Sequence, residues 1–297
     1  MAPIDHNTVV PPPVSGDRPF KRVVSMTGAY GLRNHTIKDI RDLKGVRQLV
    51  ETLPFVPEEA VAAEEAGIDT MKVRFNPSAP QSTIELRNAA PHTFMSYGMS
   101  LTGVASETEA LRAAFDAMEA GADAIMCQWS LGFIETLAKA GVPVQGHVGL
   151  VPRKSTWVGG LRAVGKTVEE ALTIHQDMKD HENAGAWAVE CEVIAAPIMK
   201  ELSKRTTLIT SSIGSGSGGD IQFLFAQDLL GDGKTPFPRH GKQYCDLYAM
   251  RQKMQEMRIA AYKEFVADVQ SGAFPGPEHV VGADQSVVDG FLEAIAK

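Results

Sequence analysis

Cysteine is scarce here. Cys127, Cys191 and Cys245 are the only three in 297 residues, and their spacing suits neither a zinc site nor a disulfide framework. An odd number set among apolar residues predicts reduced, buried thiols and a cytoplasmic location. Long hydrophobic runs are missing too: none approaches the ~20 residues of a membrane span. Net charge is -7 and no Lys/Arg block occurs, which argues against nucleic acid or an anionic membrane as partner. There is no Walker loop, dinucleotide fingerprint, nucleophile elbow or Cys/His metal cluster. The opening MAPIDHNTVVPPPVSGDRPF is proline-rich without an apolar centre, so residues 1–20 read as a flexible arm rather than a signal peptide, and 21–297 as the folded domain.

What the chain does have is alternation. Short apolar runs at 22–30, 68–76, 89–97, 122–129, 142–150, 185–193 and 206–214, with a weaker eighth at 236–244, are separated by helical patterns at 106–121, 133–141, 167–185 and 196–205. Ser106 with Glu109 and Thr167 with Glu170 have capping-box spacing, and Gly121, Gly141 and Gly185 stop the helices they follow. The repeated helix–Ala-Gly–strand phrase suits tight αβ loops. Strands alternating with helices imply a parallel sheet, and eight such units imply an α/β fold closed into a (β/α)8 TIM-type barrel, with an open doubly wound sheet as the alternative. A long last helix is predicted over about 243–271.

In such barrels chemistry gathers at the carboxyl ends of the strands. Glu190 and Glu192, two apart on one strand, should share a face. If that face is interior, burial should raise at least one of their pKa values toward that of a useful base; the bland alternative is a structural pair with a basic neighbour. His147 ends the fifth run, as polar partner or as hydrogen-bonded structural residue. Trp129 and Trp157 suit a pocket lining or plain packing. Lys72, Arg74 and Asn76 share one face of the second run. Facing inward, Arg74 could clamp a carboxylate in bidentate fashion; facing outward, Lys72 and Arg74 would be solvated surface residues. The Gly/Ser segment 211–220, ahead of an expected helix, offers Ser212 and Ser215 to an anion or else forms a simple turn.

From about residue 93 to 282 the stretches TFMSYG, PVQGHVGLVPRKSTWVGGLRAVGKT, GAWAVECEV, IGSGSGGDIQ, GKQYCDLY and SGAFPGPEH resemble, in order, the signature segments of ketopantoate hydroxymethyltransferases. The resemblance implies a barrel of the phosphoenolpyruvate mutase/isocitrate lyase superfamily, assembled as a homo-oligomer and acting on a small 2-oxo acid. The family's cofactors are magnesium and methylenetetrahydrofolate: the ion chelates the oxo acid, a glutamate removes the neighbouring proton, and the enolate attacks a one-carbon unit. The resemblance places that glutamate on Glu192 and the family's histidine on His147. The family's metal-associated carboxylates fall on Phe75 (with Asn76), Pro91 (with His92) and Gln128, and its substrate-binding lysine on Met126. Residues 31–56 look inserted. No metal ligand is therefore assigned. Glu192 and His147 are the expected catalytic residues, and Arg74, Asn76, His92, Gln128, Glu190, Ser212 and Ser215 the expected substrate contacts. The first reading is an enzyme acting on a small 2-oxo acid by enolate/aldol-type chemistry without the usual magnesium site, either diverged hydroxymethyl transfer or a related aldol cleavage, decarboxylation or isomerisation. A non-catalytic barrel that binds a small carboxylate or scaffolds an assembly is the second, and a genuine pantothenate-pathway enzyme with recruited metal ligands the third.

Overall fold

Alternating inward and outward side chains make the strands, and small residues make the joints. The computed structural model describes residues 20–100, 102–233 and 237–296. The expected arm over residues 1–20 thus lies, Phe20 apart, outside the described residues. The first predicted barrel strand, 22–30, is instead an antiparallel hairpin, β1 (Lys21–Val24) and β2 (Tyr30–Arg33), turning at Gly28 with φ +83°. After the short α1 (Ile37–Asp42), the barrel begins with β3 (Leu49–Leu53), inside the segment that looked inserted.

The units that follow are α2 (Pro57–Glu65), β4 (Thr70–Arg74), α3 (Gln81–Ala89), β5 (Phe94–Gly98), α4 (Glu107–Glu119), β6 (Ala124–Met126) and α5 (Leu131–Lys139). Then come β7 (Val144–Gly149), α6 (Val168–Asn183), β8 (Ala188–Glu192), α7 (Ala196–Ser203), β9 (Ile209–Ile213), β10 (Ile221–Phe225) and α8 (Ala226–Leu230). Eight parallel strands close in the order β10-β3-β4-β5-β6-β7-β8-β9. The eighth strand is therefore β10. It emerges from the Gly/Ser segment where a helix was expected, and 237–244 contains no strand.

The caps behave as their residues require. Ser106 and Thr167 accept the Glu109 and Glu170 N–H groups at 3.3 and 3.1 Å. Each glutamate reaches back one residue beyond the cap, to the N–H of Ala105 or Lys166. Outward side chains such as Met71, Val73, Tyr97, Ile125, Val189 and Cys191 pack under the helix layer and are fully buried. Inward side chains at the amino ends, including Leu49, Phe94, Ala124 and Ile209, form an apolar plug. The plug closes the barrel floor, and the charged inward residues Lys72, Glu190 and Glu192 lie above it. Burial pushes the Cys127 thiol up to about 12 and raises that of Cys191, so both remain protonated.

The chain divides into two compact units, Met1–Tyr244 and Cys245–Lys297. The second holds α9 (Leu247–Ser271), capped by the Asp246 side chain, and α10 (Gln285–Ile295). No described helix is long and apolar enough to cross a membrane.

Candidate active site

Above the apolar plug, the pleat of β4 turns Lys72 and Arg74 inward. That of β8 does the same for Glu190 and Glu192, because residues two apart share a face. With His147 of β7 and Gln128 beyond β6 they line a cavity of about 450 Å³ at the carboxyl ends of the strands. The outward alternative for Lys72 and Arg74 is thereby excluded.

At the cavity floor the ammonium of Lys72 lies 2.5 Å from Glu190 Oε2, 3.0 Å from Glu51 Oε2 and 3.2 Å from Ser211 Oγ. Ser211 donates in turn to Glu51 Oε2 at 2.5 Å, and Thr70 to Glu51 Oε1 at 3.0 Å. Phe223 lies beneath the ammonium, with its ring centre 4.0 Å from Nζ. Burial opposes charge on Lys72, but Glu190 and Glu51 outweigh it and its pKa is raised. Burial would likewise raise Glu190, yet the adjacent Lys72 and then His147 hold its pKa below the usual carboxylate value. Glu190 is thus a paired structural anion, not the raised-pKa base that two neighbouring carboxylates suggested.

Glu192 differs. It sits one step higher, its side chain keeps 17% of its exposure, and its Oε2 lies 3.0 Å from His147 Nε2. The same nitrogen is 3.7 Å from Glu190 Oε1. Neither approach has hydrogen-bond geometry, and both ring nitrogens of His147 are buried without a hydrogen-bond partner among the described residues. The backbone here is tightly held. Gly149, at φ +87°, lets β7 pass so close that a Cβ would stand 2.5 Å from the Glu192 carbonyl oxygen. Val193 takes φ 50°, costly for a β-branched residue, and is clamped by hydrogen bonds with Ile213 (2.8 Å) and Val164 (3.0 Å).

At the rim, the exposed Arg74 holds its guanidinium 5.2 Å from the Phe55 ring centre. Arg153, from the turn Pro152–Val158, lines the same cavity.

The other expected contacts lie elsewhere. Asn76 stands past the end of β4, exposed, its Oδ1 accepting from Ser78 N at 3.0 Å in a local turn. His92 precedes β5 and so lies at the opposite, amino end of the barrel, its ring 4.4 Å from that of Phe20. Ser211 and Ile213 point inward on β9, so Ser212 faces outward and donates to the Gly216 carbonyl at 2.9 Å. Ser215 is buried, taking the Ile194 N–H at 2.8 Å and donating to the Cys191 carbonyl at 2.9 Å. Trp129 donates to the Ser100 carbonyl and packs edge-on against Phe133, whereas Trp157 is exposed. Sequence reasoning missed Glu51, Ser211 and Arg153. The alternation of Leu49, Glu51 and Leu53 was the available signal for the first.

Magnesium requires hard oxygen ligands in near-octahedral array. Phe75 is buried against Tyr97, Pro91 precedes β5, and Met126 and Gln128 bring no charge. The anionic donors left at the cavity are Glu192 and the lysine-bound Glu190, beside an imidazole and two arginines. This donor set does not fit the magnesium arrangement that the resemblance implies.

Comparison with known proteins agrees with the fold and with the family resemblance. The ketopantoate hydroxymethyltransferase family model matches residues 61–277. The 3-methyl-2-oxobutanoate hydroxymethyltransferase of Thermus thermophilus is 33% identical over 264 residues, covering 82% of this chain and 98% of that protein. The enzyme of the same name from Kosmotoga olearia is 31% identical, covering 82% and 96%. Among solved structures, 2,3-dimethylmalate lyase, a PEP mutase/isocitrate lyase superfamily member, superposes with a TM-score of 0.52 at 13% identity, over 80% of this chain and 100% of that one, a likeness of fold.

Proposed function

The chain belongs to the ketopantoate hydroxymethyltransferase family, and from that premise we propose that it removes the proton beside the carbonyl of a small 2-oxo acid and joins the enolate to a one-carbon unit without the family's magnesium arrangement. The observation that carries this reading is the Glu192 carboxylate. It opens on the cavity, is unpaired with Lys72, and stands 3.0 Å from His147 at the mouth where barrel enzymes work.

The roles follow from position. Arg74 at the rim binds the substrate carboxylate in bidentate fashion, with Arg153 as a second cation and Gln128 as a neutral hydrogen-bonding group. That pose directs the oxo group and its neighbouring carbon down toward Glu192. Glu192 takes the proton, and a positioned base of this kind contributes about 10²–10⁴-fold. His147 orients the carboxylate. Lys72, held ionised beneath, adds positive potential as charge develops on the enolate oxygen. The substrate for which the relatives are named, 3-methyl-2-oxobutanoate, is the first compound to test.

A homo-oligomer belongs to the same reading, since α9 and α10 bury no residue and helices gain most of their stability from packing.

The test supplies 3-methyl-2-oxobutanoate and a formaldehyde-level one-carbon donor to chelator-treated protein. Product that forms without added magnesium and falls at least about 100-fold in Glu192→Gln supports the reading. Product that appears only with magnesium refutes the metal assignment. A Glu192→Gln variant as active as the parent refutes the base.

A further inference from the structure

Two carboxylates, Glu190 and Glu192, line the cavity with the buried ammonium of Lys72, which Glu51 also contacts. Lys72 is committed to Glu190 and Glu51, while Arg74 and Arg153 sit exposed at the rim. His147 adds a second, independent sign: a buried imidazole with neither nitrogen hydrogen-bonded, aimed at the two glutamates.

From these observations we propose that His147, Glu190 and Glu192 form a binding site for one divalent transition-metal ion, at a different place in the barrel mouth from the positions to which the family resemblance assigns metal ligands.

The geometry is close to what such an ion needs. One ligand atom from each residue lies within 4.8 Å of the other two. Metal–nitrogen and metal–oxygen bonds of about 2.0–2.2 Å place donors about 3 Å apart at a right angle and about 3.4 Å apart in a tetrahedron. His147 Nε2 stands 3.0 Å from Glu192 Oε2 and 3.7 Å from Glu190 Oε1, so the imidazole already stands near ligand spacing from both carboxylates.

The surroundings also resemble a supported ligand shell. Lys72 bonds only Oε2 of Glu190, leaving Oε1 for the ion, and is itself fixed by Glu51 and Ser211. One imidazole nitrogen with two carboxylates suits zinc, iron, cobalt or manganese better than magnesium, which prefers oxygen throughout. The site uses the same Glu192 oxygen that faces His147 in the proposed function. An ion there therefore competes with proton abstraction and slows it.

The experiment begins with chelator-treated full-length chain. Zn²⁺ binding is measured by equilibrium dialysis, and Co²⁺ is followed by its visible absorption bands. The expected result is one ion per chain, not displaced by excess Mg²⁺, with binding weakened at least tenfold in both His147→Ala and Glu192→Gln. Bound Co²⁺ should also show the spectrum of a nitrogen- and oxygen-ligated ion, a readout on the parent protein that needs no variant to fold. No stoichiometric binding, tighter binding of Mg²⁺, or affinity unchanged in both variants overturns the site. Because the proposal rests on the residues of the proposed function, deuterium exchange into 3-methyl-2-oxobutanoate is read in parallel. Metal binding without exchange in the metal-free protein keeps the site and removes the base. Exchange that proceeds without any stoichiometric metal binding does the reverse.

Discussion

Replacing Lys72 with methionine keeps the length of the side chain and removes its charge. In the parent, that charge lies 2.5 Å from Glu190 and 3.0 Å from Glu51, both buried. Breaking a buried ion pair by deleting one partner costs about 3–5 kcal/mol, because the other partner keeps its desolvation cost without its compensation. Against a total stability of about 5–15 kcal/mol, such a loss is readily measured by urea unfolding. The pH dependence makes the test specific. In the parent, the pKa of Glu190 is lowered by Lys72, so the pair stabilises above the unfolded value of about 4.3 and that stability is lost as pH falls through the folded value. Without Lys72, burial dominates and the folded pKa rises above the unfolded one. The penalty then grows as pH rises above about 4.3. Lys72→Met should therefore be less destabilised, relative to the parent, at pH 5 than at pH 8. A loss below about 1 kcal/mol, or one equal at both pH values, would refute the claim that this network anchors the barrel interior.

Other substitutions separate the parts of the account. Arg74→Met should raise KM for a 2-oxo acid about 10–100-fold, as expected for a lost charge-assisted pair, with the melting temperature unchanged because Arg74 is exposed. Ser215→Ala strands the buried Ile194 N–H and should cost about 1–3 kcal/mol in denaturant unfolding while substrate affinity stays the same. A fall in affinity instead would restore Ser215 as a substrate contact. Asp69 is buried, which alone would raise its pKa. Hydrogen bonds from His35, Arg47 (2.9 and 2.8 Å) and the Val50 N–H hold it far below the usual carboxylate range. Its stabilisation is fully present above the unfolded value of about 3.9, begins to decline as pH falls below it, and is gone once pH has fallen through the much lower folded value. Thermal melts of Asp69→Asn should show a loss at pH 7 that shrinks toward pH 3.

Much of this arrangement was legible because strand periodicity is a local property. Glu190 with Glu192, and Lys72 with Arg74, share faces whatever else the chain does, and the Ala-Gly joints mark where helices must stop. What local pattern could not supply was partnership across the barrel. Lys72 and Glu190 are 118 positions apart, and only closure of the sheet brings them together. That closure turns Glu190 from a base candidate into a structural anion and leaves Glu192 as the unlocked carboxylate. The first barrel strand escaped notice because Glu51 interrupts its apolar character and it lies inside the segment, 31–56, that looked inserted. The eighth was hidden behind a Gly/Ser run that imitates a loop leading to a helix. Ser212 was misplaced by one step of the same alternation, since the inward positions on β9 are Ser211 and Ile213, and Ser215, past the end of β9, is taken up by the backbone of Ile194 and Cys191.

The central claim, that this barrel mouth abstracts a proton from a 2-oxo acid through Glu192, is tested most directly by NMR. The measurement follows solvent deuterium entering the carbon beside the carbonyl of 3-methyl-2-oxobutanoate, with chelator present and no one-carbon donor. Steady uptake by the parent, reduced at least about 100-fold in Glu192→Gln, is the predicted result. Uptake no faster than in buffer, or equal in parent and variant, would contradict it.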